Sequence, residues 1–296
     1  MGEHVSKKLV DFFIIGVQKS ATSSLAEDLE KHSSIAMPAK EVNIFLTENE
    51  LKKNKRLLLN LFGLDRSKLV GIKCPDYFSE PRSIHRIRRY NKDAKLIIIY
   101  RDPVERFVSA AFWYMQVGLL PVQDINSLIE ECVFSGKDNT IWHKQLIEYG
   151  FYGKYYDELV RVFPRENLLV IEQEKYRDNS VEIVERIWGF LGLGSVGVDL
   201  GGSLKKQSIY NLSRLRLYSI FNKNFFYRFV ENENVGYSVL RPKYFRIIFY
   251  FWKVFDNLFI EKMLANQKPV VRPDLLAALE KLYHDDYKYF KERLVR

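Results

Sequence analysis

Phe12-Phe13-Ile14-Ile15-Gly16-Val17-Gln18-Lys19-Ser20-Ala21-Thr22-Ser23-Ser24-Leu25 is the stretch whose reading decides the fold. An apolar run stops at Gly16, a polar turn follows, and a hydroxyl-rich helix start comes next. A short continuous apolar run ending this abruptly fits a strand buried on both faces of a parallel sheet. The spacing predicts a helix from Thr22 to about Lys31, with Leu25, Ala26 and Leu29 turned inward. Further along, Lys95-Leu96-Ile97-Ile98-Ile99-Tyr100-Arg101-Asp102-Pro103-Val104-Glu105-Arg106-Phe107-Val108-Ser109 repeats the plan, with Arg101 as the cation at the strand end. In open parallel sheets ligands gather at the carboxyl ends of strands. Helix N-termini there turn free N–H groups and a positive dipole end toward anions. The chain is therefore expected to hold a ligand with at least two separate anionic groups.

Other elements follow in order. Leu69–Lys73 reads as a short strand ended by Cys74-Pro75, and Pro81–Tyr90 as a basic helix. Pro103 suits the first turn of a helix, where its missing N–H costs nothing. Val104, Phe107, Val108, Ala111, Phe112 and Met115 form an apolar stripe on that helix, expected to face the sheet. A helix from Tyr152 to Phe163 precedes a third buried strand, Asn167–Glu172. Val181–Leu191 is another helix, with Gly192 placed to end it through a left-handed cap. Residues 48–68 read as a charged helix and surface linker. Beyond residue 200 basic, aromatic helices are expected, closing with an amphipathic helix from Pro273 to about Glu292. Strands alternating with helices argue for a parallel sheet of four or five strands covered on both faces.

Composition narrows the class. An apolar fraction of 47% among 296 residues is ample for a large core. Cys74 and Cys132 make no disulfide framework and have no metal-ligand spacing, which points to a reducing, cytoplasmic setting. The five scattered histidines give no metal site. No secretory pattern is read at the N-terminus, and the Phe12–Val17 run is too short to span a membrane. Nearly all of the net charge of +9 lies between Ser203 and Lys253, where ten basic residues face only Glu231 and Glu233. That stretch is also rich in Phe and Tyr. Its Ile247–Trp252 segment is apolar on every side and is expected to be buried, with the basic side chains snorkelling outward. The same charge makes it a candidate surface for an anionic polymer or an inner membrane surface. Nucleic acid is not expected, because no recognised module accompanies the charge.

Gly16–Ser23 does not match the nucleotide-binding pattern Gly-x-x-x-x-Gly-Lys-Ser/Thr, because the second glycine is absent and the lysine comes too early. It resembles instead the 5′-phosphosulfate loop of sulfotransferases that use 3′-phosphoadenosine 5′-phosphosulfate (PAPS), with Ala21 where glycine is usual. Lys95–Ser109 resembles the 3′-phosphate site of that family. Lys40-Glu41-Val42-Asn43-Ile44-Phe45 resembles the glutamate-bearing segment of the heparan sulfate and bacterial branch, with Asn43 in place of a histidine. Gly71-Ile72-Lys73-Cys74-Pro75-Asp76-Tyr77-Phe78 resembles the lysine-bearing segment of the same branch. Tyr149-Gly150-Phe151-Tyr152 and Phe163-Pro164 also follow the family order. The resemblance covers residues 10–195; beyond that it is one of general shape.

The resemblance implies an α/β fold, a P-loop-NTPase-like parallel sheet flanked by helices with a helical C-terminal region. It implies one sulfotransferase domain over 1–296, with a PAPS-binding core at 10–195 and an acceptor-binding or closing region at 196–296. Gln18, Lys19, Ser20, Ala21, Thr22, Ser23 and Ser24 would cradle the 5′-phosphosulfate, and Arg101 and Ser109 would hold the 3′-phosphate. Glu41 would act as base, Lys19 would stabilise the leaving oxygen and Lys73 the sulfuryl oxygens, with no metal. The acceptor would be a hydroxyl or amine, most simply on a carbohydrate. Two other readings stay open: a nucleotide kinase of related architecture, which lacks its Gly-Lys-Ser/Thr step here, and a non-catalytic protein that binds anionic glycans or membrane surfaces.

Overall fold

The computed structural model describes residues 9–48, 67–135, 140–197, 208–232, 235–240 and 243–295. In chain order the first elements are β1 (Phe12–Gly16), α1 (Thr22–Leu29), β2 (Ile35–Ala36), β3 (Leu69–Lys73), α2 (Pro81–Tyr90) and β4 (Lys95–Tyr100). Next come α3 (Pro103–Val117), α4 (Ile125–Glu130), α5 (Ile141–Glu148), α6 (Tyr152–Val162) and β5 (Leu168–Glu172). Then follow α7 (Gln173–Asp178), α8 (Ser180–Phe190), α9 (Leu212–Phe221), β6 (Tyr227–Asn232) and β7 (Val235–Leu240). The last are α10 (Lys243–Phe255), α11 (Glu261–Met263) and α12 (Pro273–Val295). Residues 49–66 of the expected charged helix and linker lie outside the described residues.

The chain forms two compact units. One comprises residues 1–102, 152–206 and 289–296, and the other 103–151 and 207–288. Residues 103–151 thus group with the C-terminal helices.

The first unit is built on a five-stranded sheet in the order β2-β3-β1-β4-β5. The pairings of β1 with β3 and β4, of β2 with β3 and of β4 with β5 are all parallel. Every residue of β1 is buried, as expected of a central strand covered on both faces. Phe12 and Ile14 pack with Leu25, Leu29, Ile97 and Trp188 on one face. On the other, Phe13 meets Phe45 edge-on at 5.5 Å, and Phe45 meets Tyr77 at 6.0 Å. Each such side chain contributes about 1.5–3 kcal/mol by leaving water. Gly71 is opposite Phe12, and a Cβ there would fall inside the Phe12 ring, 2.1 Å from Cζ. Gly192 caps α8 at φ +80, and Leu193 N–H donates to Trp188 O at 2.8 Å, closing the helix as its sequence suggested.

The second unit is mostly helical. The stripe on α3 is buried, packed with residues of α4, α5, α9 and α12, so its periodicity marks the buried side of the helix. Two expectations fail here. Tyr227–Asn232 and Val235–Leu240 form the antiparallel pair β6–β7 where only helices were expected. Ile247 (59% exposed), Ile248, Tyr250 and Phe251 (68%) on α10 are exposed instead of buried. Arg214, counted above among the surface cations, is buried against Asp256, with Arg214 Nε to Oδ1 at 2.8 Å and Nη2 to Oδ2 at 2.5 Å. Among the described residues no helix is long and apolar enough to cross a membrane.

Candidate active site

The strand order explains where the polar residues gather. β1 lies between β3 and β4, so the chain leaves β1 toward one side of the sheet and later returns to the other. Such a reversal opens a crevice at the carboxyl ends of the strands. The segments following β1, β3 and β4 carry Lys19, Asp76 and Arg101. Gly16 allows the close approach: a Cβ on it would lie 2.7 Å from Phe78 Cβ and 3.0 Å from the Pro75 carbonyl oxygen. Phe78 N–H donates to Ile15 O at 2.8 Å, and Val17 N–H to Ile99 O at 2.7 Å.

The loop between β1 and α1 is wound by two left-handed residues, Lys19 at φ 68 and Ala21 at φ 64. That conformation costs a residue with a Cβ about 1–2 kcal/mol. Placed within a turn, such residues let successive N–H groups converge on an anion. Ala21 caps α1 without a side-chain hydrogen bond. The first N–H groups of any helix have no intrahelical acceptor. Ser20 Oγ is fully buried with no protein hydrogen-bond partner. Thr22 and Ser24 are buried beside it. These features fit a loop shaped for an anion.

Glu41 is brought in by tertiary contacts. Val42 N–H donates to Lys73 O at 2.9 Å, which lays the 41–46 segment against β3. Tyr77 Oη donates to Val42 O and accepts from Phe45 N–H. Arg86 on α2 donates to Leu46 O at 2.7 Å. Held in this way, Glu41 stands 3.7 Å from Lys73 Nζ, with Glu41 half-exposed and Lys73 buried. Lys73 Nζ also donates to Ser23 Oγ at 2.6 Å, so Ser23 is engaged by a cation as well as belonging to the loop. Arg101 Nη1 donates to Lys19 O at 3.3 Å, joining the end of β4 to the same loop. Gln18, Lys19, Ser23, Glu41, Lys73 and Arg101 therefore belong to one connected cluster in the first unit. Ser109 lies on α3 in the second unit, with its Oγ 3.4 Å from Ser208 Oγ.

Sequence reasoning missed Asp76. Its Oδ1 accepts from Gln18 Nε2 at 3.2 Å. Burial pushes its carboxyl up to about 7, Glu41 and Glu80 push the same way, and the Gln18 amide opposes them. The only sequence signal was its position after Cys74-Pro75 in a segment already singled out. Burial also draws the Lys19 ammonium down to about 8; Glu41 resists this and Arg101 reinforces it. Loss of a proton from either group makes the loop less attractive to an anion. Affinity of this loop for an anion, with inorganic phosphate as the probe, should therefore fall in two steps as pH rises, near 7 and near 8. Calorimetric titrations across that range check it: Asp76→Asn should remove the lower step and Lys19→Met the upper.

Two other side chains able to accept a proton are occupied elsewhere. Glu172, at the end of β5, pairs with Lys291 at 2.7 Å. His143, in the second unit, accepts from Thr140 N–H and completes the capping box of α5. Among the described residues no group of His, Cys, Asp and Glu is arranged to hold a metal.

The chain is 30% identical over 199 residues to heparan sulfate glucosamine 3-O-sulfotransferase 3B1 of Mus musculus, an alignment covering 66% of this chain and 49% of that protein. It is 32% identical over 111 residues to membrane-associated sulfotransferase kil1 of Dictyostelium discoideum, covering 36% and 24%. The chain thus spans about half the length, or less, of these relatives. The solved sulfotransferase from Alicyclobacillus acidocaldarius superimposes with a TM-score of 0.57 at 23% identity, covering 72% of this chain and 93% of that one, and shares the fold. The Sulfotransferase domain family matches residues 9–214, a span that contains every residue of the cluster, and the chain belongs to that family.

Proposed function

We propose that this chain transfers a sulfuryl group from PAPS to an acceptor hydroxyl, on a carbohydrate, and that the whole of 1–296 serves as one sulfotransferase. The observation that carries the reading is the cluster at the sheet edge: one half-exposed carboxylate, Glu41, 3.7 Å from buried Lys73 and beside the loop that carries Lys19. A carbohydrate acceptor is favoured by the likeness to a heparan sulfate 3-O-sulfotransferase. A nucleotide kinase is disfavoured by the lack of a Gly-Lys-Ser/Thr step in the loop. A reducing, cytoplasmic setting belongs to the same proposal; Cys74 and Cys132 are both free and buried.

The residues divide the work. The N–H groups of the 19–24 loop and the hydroxyls of Ser20 and Thr22 hold the 5′ end of PAPS. Glu41 takes the acceptor's proton as the hydroxyl oxygen bonds to sulfur. Lys19 offsets the charge left on the phosphate oxygen when its bond to sulfur breaks. Lys73 neutralises the sulfuryl oxygens and orients Ser23. As in phosphoryl transfer, positioning and charge stabilisation supply most of the rate. Arg101 takes the 3′-phosphate through a charge-assisted, bidentate contact. Assigning Ser109 to that phosphate rests on the resemblance of Lys95–Ser109 to the 3′-phosphate segment of the family.

The test is binding followed by turnover. 3′-Phosphoadenosine 5′-phosphate (PAP) should bind and ATP should not, and labelled sulfuryl should pass from PAPS to heparan sulfate or to another member of a panel of glycans, lipids and phenols. Equal affinity for ATP would favour the kinase reading; PAP binding with no transfer to any acceptor would favour a binding protein. Arg101→Ala should weaken PAP by about 2–4 kcal/mol. Adenosine 5′-phosphosulfate, lacking the 3′-phosphate, should bind weakly and change little with that substitution. Equal losses for both ligands would show that Arg101 does not read the 3′-phosphate.

A further inference from the structure

We propose that the outward face of the helical run from Ile247 to Met263 docks on an anionic lipid bilayer. The run comprises the C-terminal part of α10, the turn Asp256–Ile260 and α11. Its inner side is fastened to the second unit. Trp252 stacks on Phe221 with centroids 4.6 Å apart and planes 12° apart. Asp256 is wholly buried, bonded by Arg214 and by Tyr218 Oη at 2.6 Å. These contacts settle which side points away from the protein.

That side is apolar. Ile247, Phe251, Val254 and Leu258 recur at helical spacing, Ile248, Phe255 and Phe259 form a second row beside them, and Met263 lies at the end of the run, all exposed. Phe251 is 68% exposed and Met263 80%. Scattered apolar side chains on a surface are ordinary; two adjoining rows on one helical face mark an interaction surface.

Charge selects the occupant. Residues 203–263 contain eleven Lys and Arg against four Asp and Glu. Two of those four, Asp256 and Glu261, are already paired with Arg214. Arg216, Lys223, Lys253 and Lys262 are exposed on α9, on the turn that follows it or on the run itself. A second copy of the chain would bring the same positive surface against this one. A bilayer carrying acidic lipids offers both an apolar layer for the rows and negative headgroups for the cations. The run exposes its apolar residues on one side while the other side is fastened to the second unit, and so would lie in the interface plane without crossing it.

The experiment is cosedimentation of the full chain with vesicles of phosphatidylcholine, with and without phosphatidylserine. Wild type should pellet with the phosphatidylserine vesicles at low salt and be released by high salt. Phe251→Ser combined with Phe255→Ser and Phe259→Ser should lower partitioning about tenfold or more while leaving PAP binding intact. Lys253→Glu combined with Lys262→Glu should weaken binding to the acidic vesicles alone, and it serves as the second variant should the serine triple fold poorly. The proposal is overturned if wild type stays in the supernatant, or if the serine variant pellets as well as wild type. It is also overturned if that variant turns a dimer into a monomer with vesicle binding unchanged, which would assign the face to a second copy.

Discussion

Glu41→Gln should lower sulfuryl-transfer turnover by about 10²–10⁴-fold while PAP affinity stays close to wild type. Glutamine keeps the shape of the side chain and cannot accept the acceptor's proton. It also removes the negative partner 3.7 Å from Lys73, which makes the neighbourhood more positive and should, if anything, tighten PAP slightly. Measuring kcat with labelled PAPS and affinity by calorimetry separates the two effects. Lys19→Ala provides the contrast, since a cation in the loop touches bound ligand and transition state alike and both quantities should fall. If Glu41→Gln is as active as wild type, the base lies elsewhere. Neither Glu172, paired with Lys291, nor His143, capping α5, is an easy replacement.

Asp256→Ala should destabilise the second unit by about 3–5 kcal/mol, because it leaves the Arg214 guanidinium buried without its two-point partner. Tyr218 Oη loses its acceptor in the same substitution. Glu261, 3.5 Å from Arg214 and half-exposed, can recover only a part. Urea unfolding followed through Trp252 fluorescence, with Trp113, Trp142 and Trp188 replaced by Phe in both proteins compared, reads this directly, since that ring stacks on Phe221 one turn from Asp256. The local probe is the right one, as two compact units need not unfold together. Replacing the pair by apolar groups, Asp256→Leu with Arg214→Met, should recover most of the loss, since the desolvation of both charges disappears with them. A loss below about 1 kcal/mol for Asp256→Ala would place the pair among exposed ion pairs instead.

Several features were legible because they are local in the chain. A buried parallel strand must be apolar on both faces, so Phe12–Gly16 and Lys95–Tyr100 announced themselves as uninterrupted runs. Pro103 at a helix start and Gly192 at a helix end are backbone requirements that a single residue reveals. The two-residue strand β2 left no such mark, since its place is defined only by pairing with β3. The loop residues and Arg101 were found as cations and hydroxyls at strand ends, and the structure joins them through the Arg101–Lys19 contact.

What the sequence determined by itself is therefore the parallel α/β core, the polar strand ends at its carboxyl side, and the identity of the residues there. These are properties of short segments, set by periodicity and by the backbone limits of glycine and proline. The tertiary structure alone decided three things. It placed Glu41 beside Lys73, because a hydrogen bond from Val42 to β3 and the clasp of Tyr77 hold a loop with no periodic signal. It put Asp76 against Gln18 in a buried setting, where desolvation raises its carboxyl to about 7. It turned Arg214 inward and the apolar side of α10 outward. A helix with apolar residues all round carries no intrinsic direction, so the side that is buried is chosen by the groups it meets, here Phe221 and Arg214.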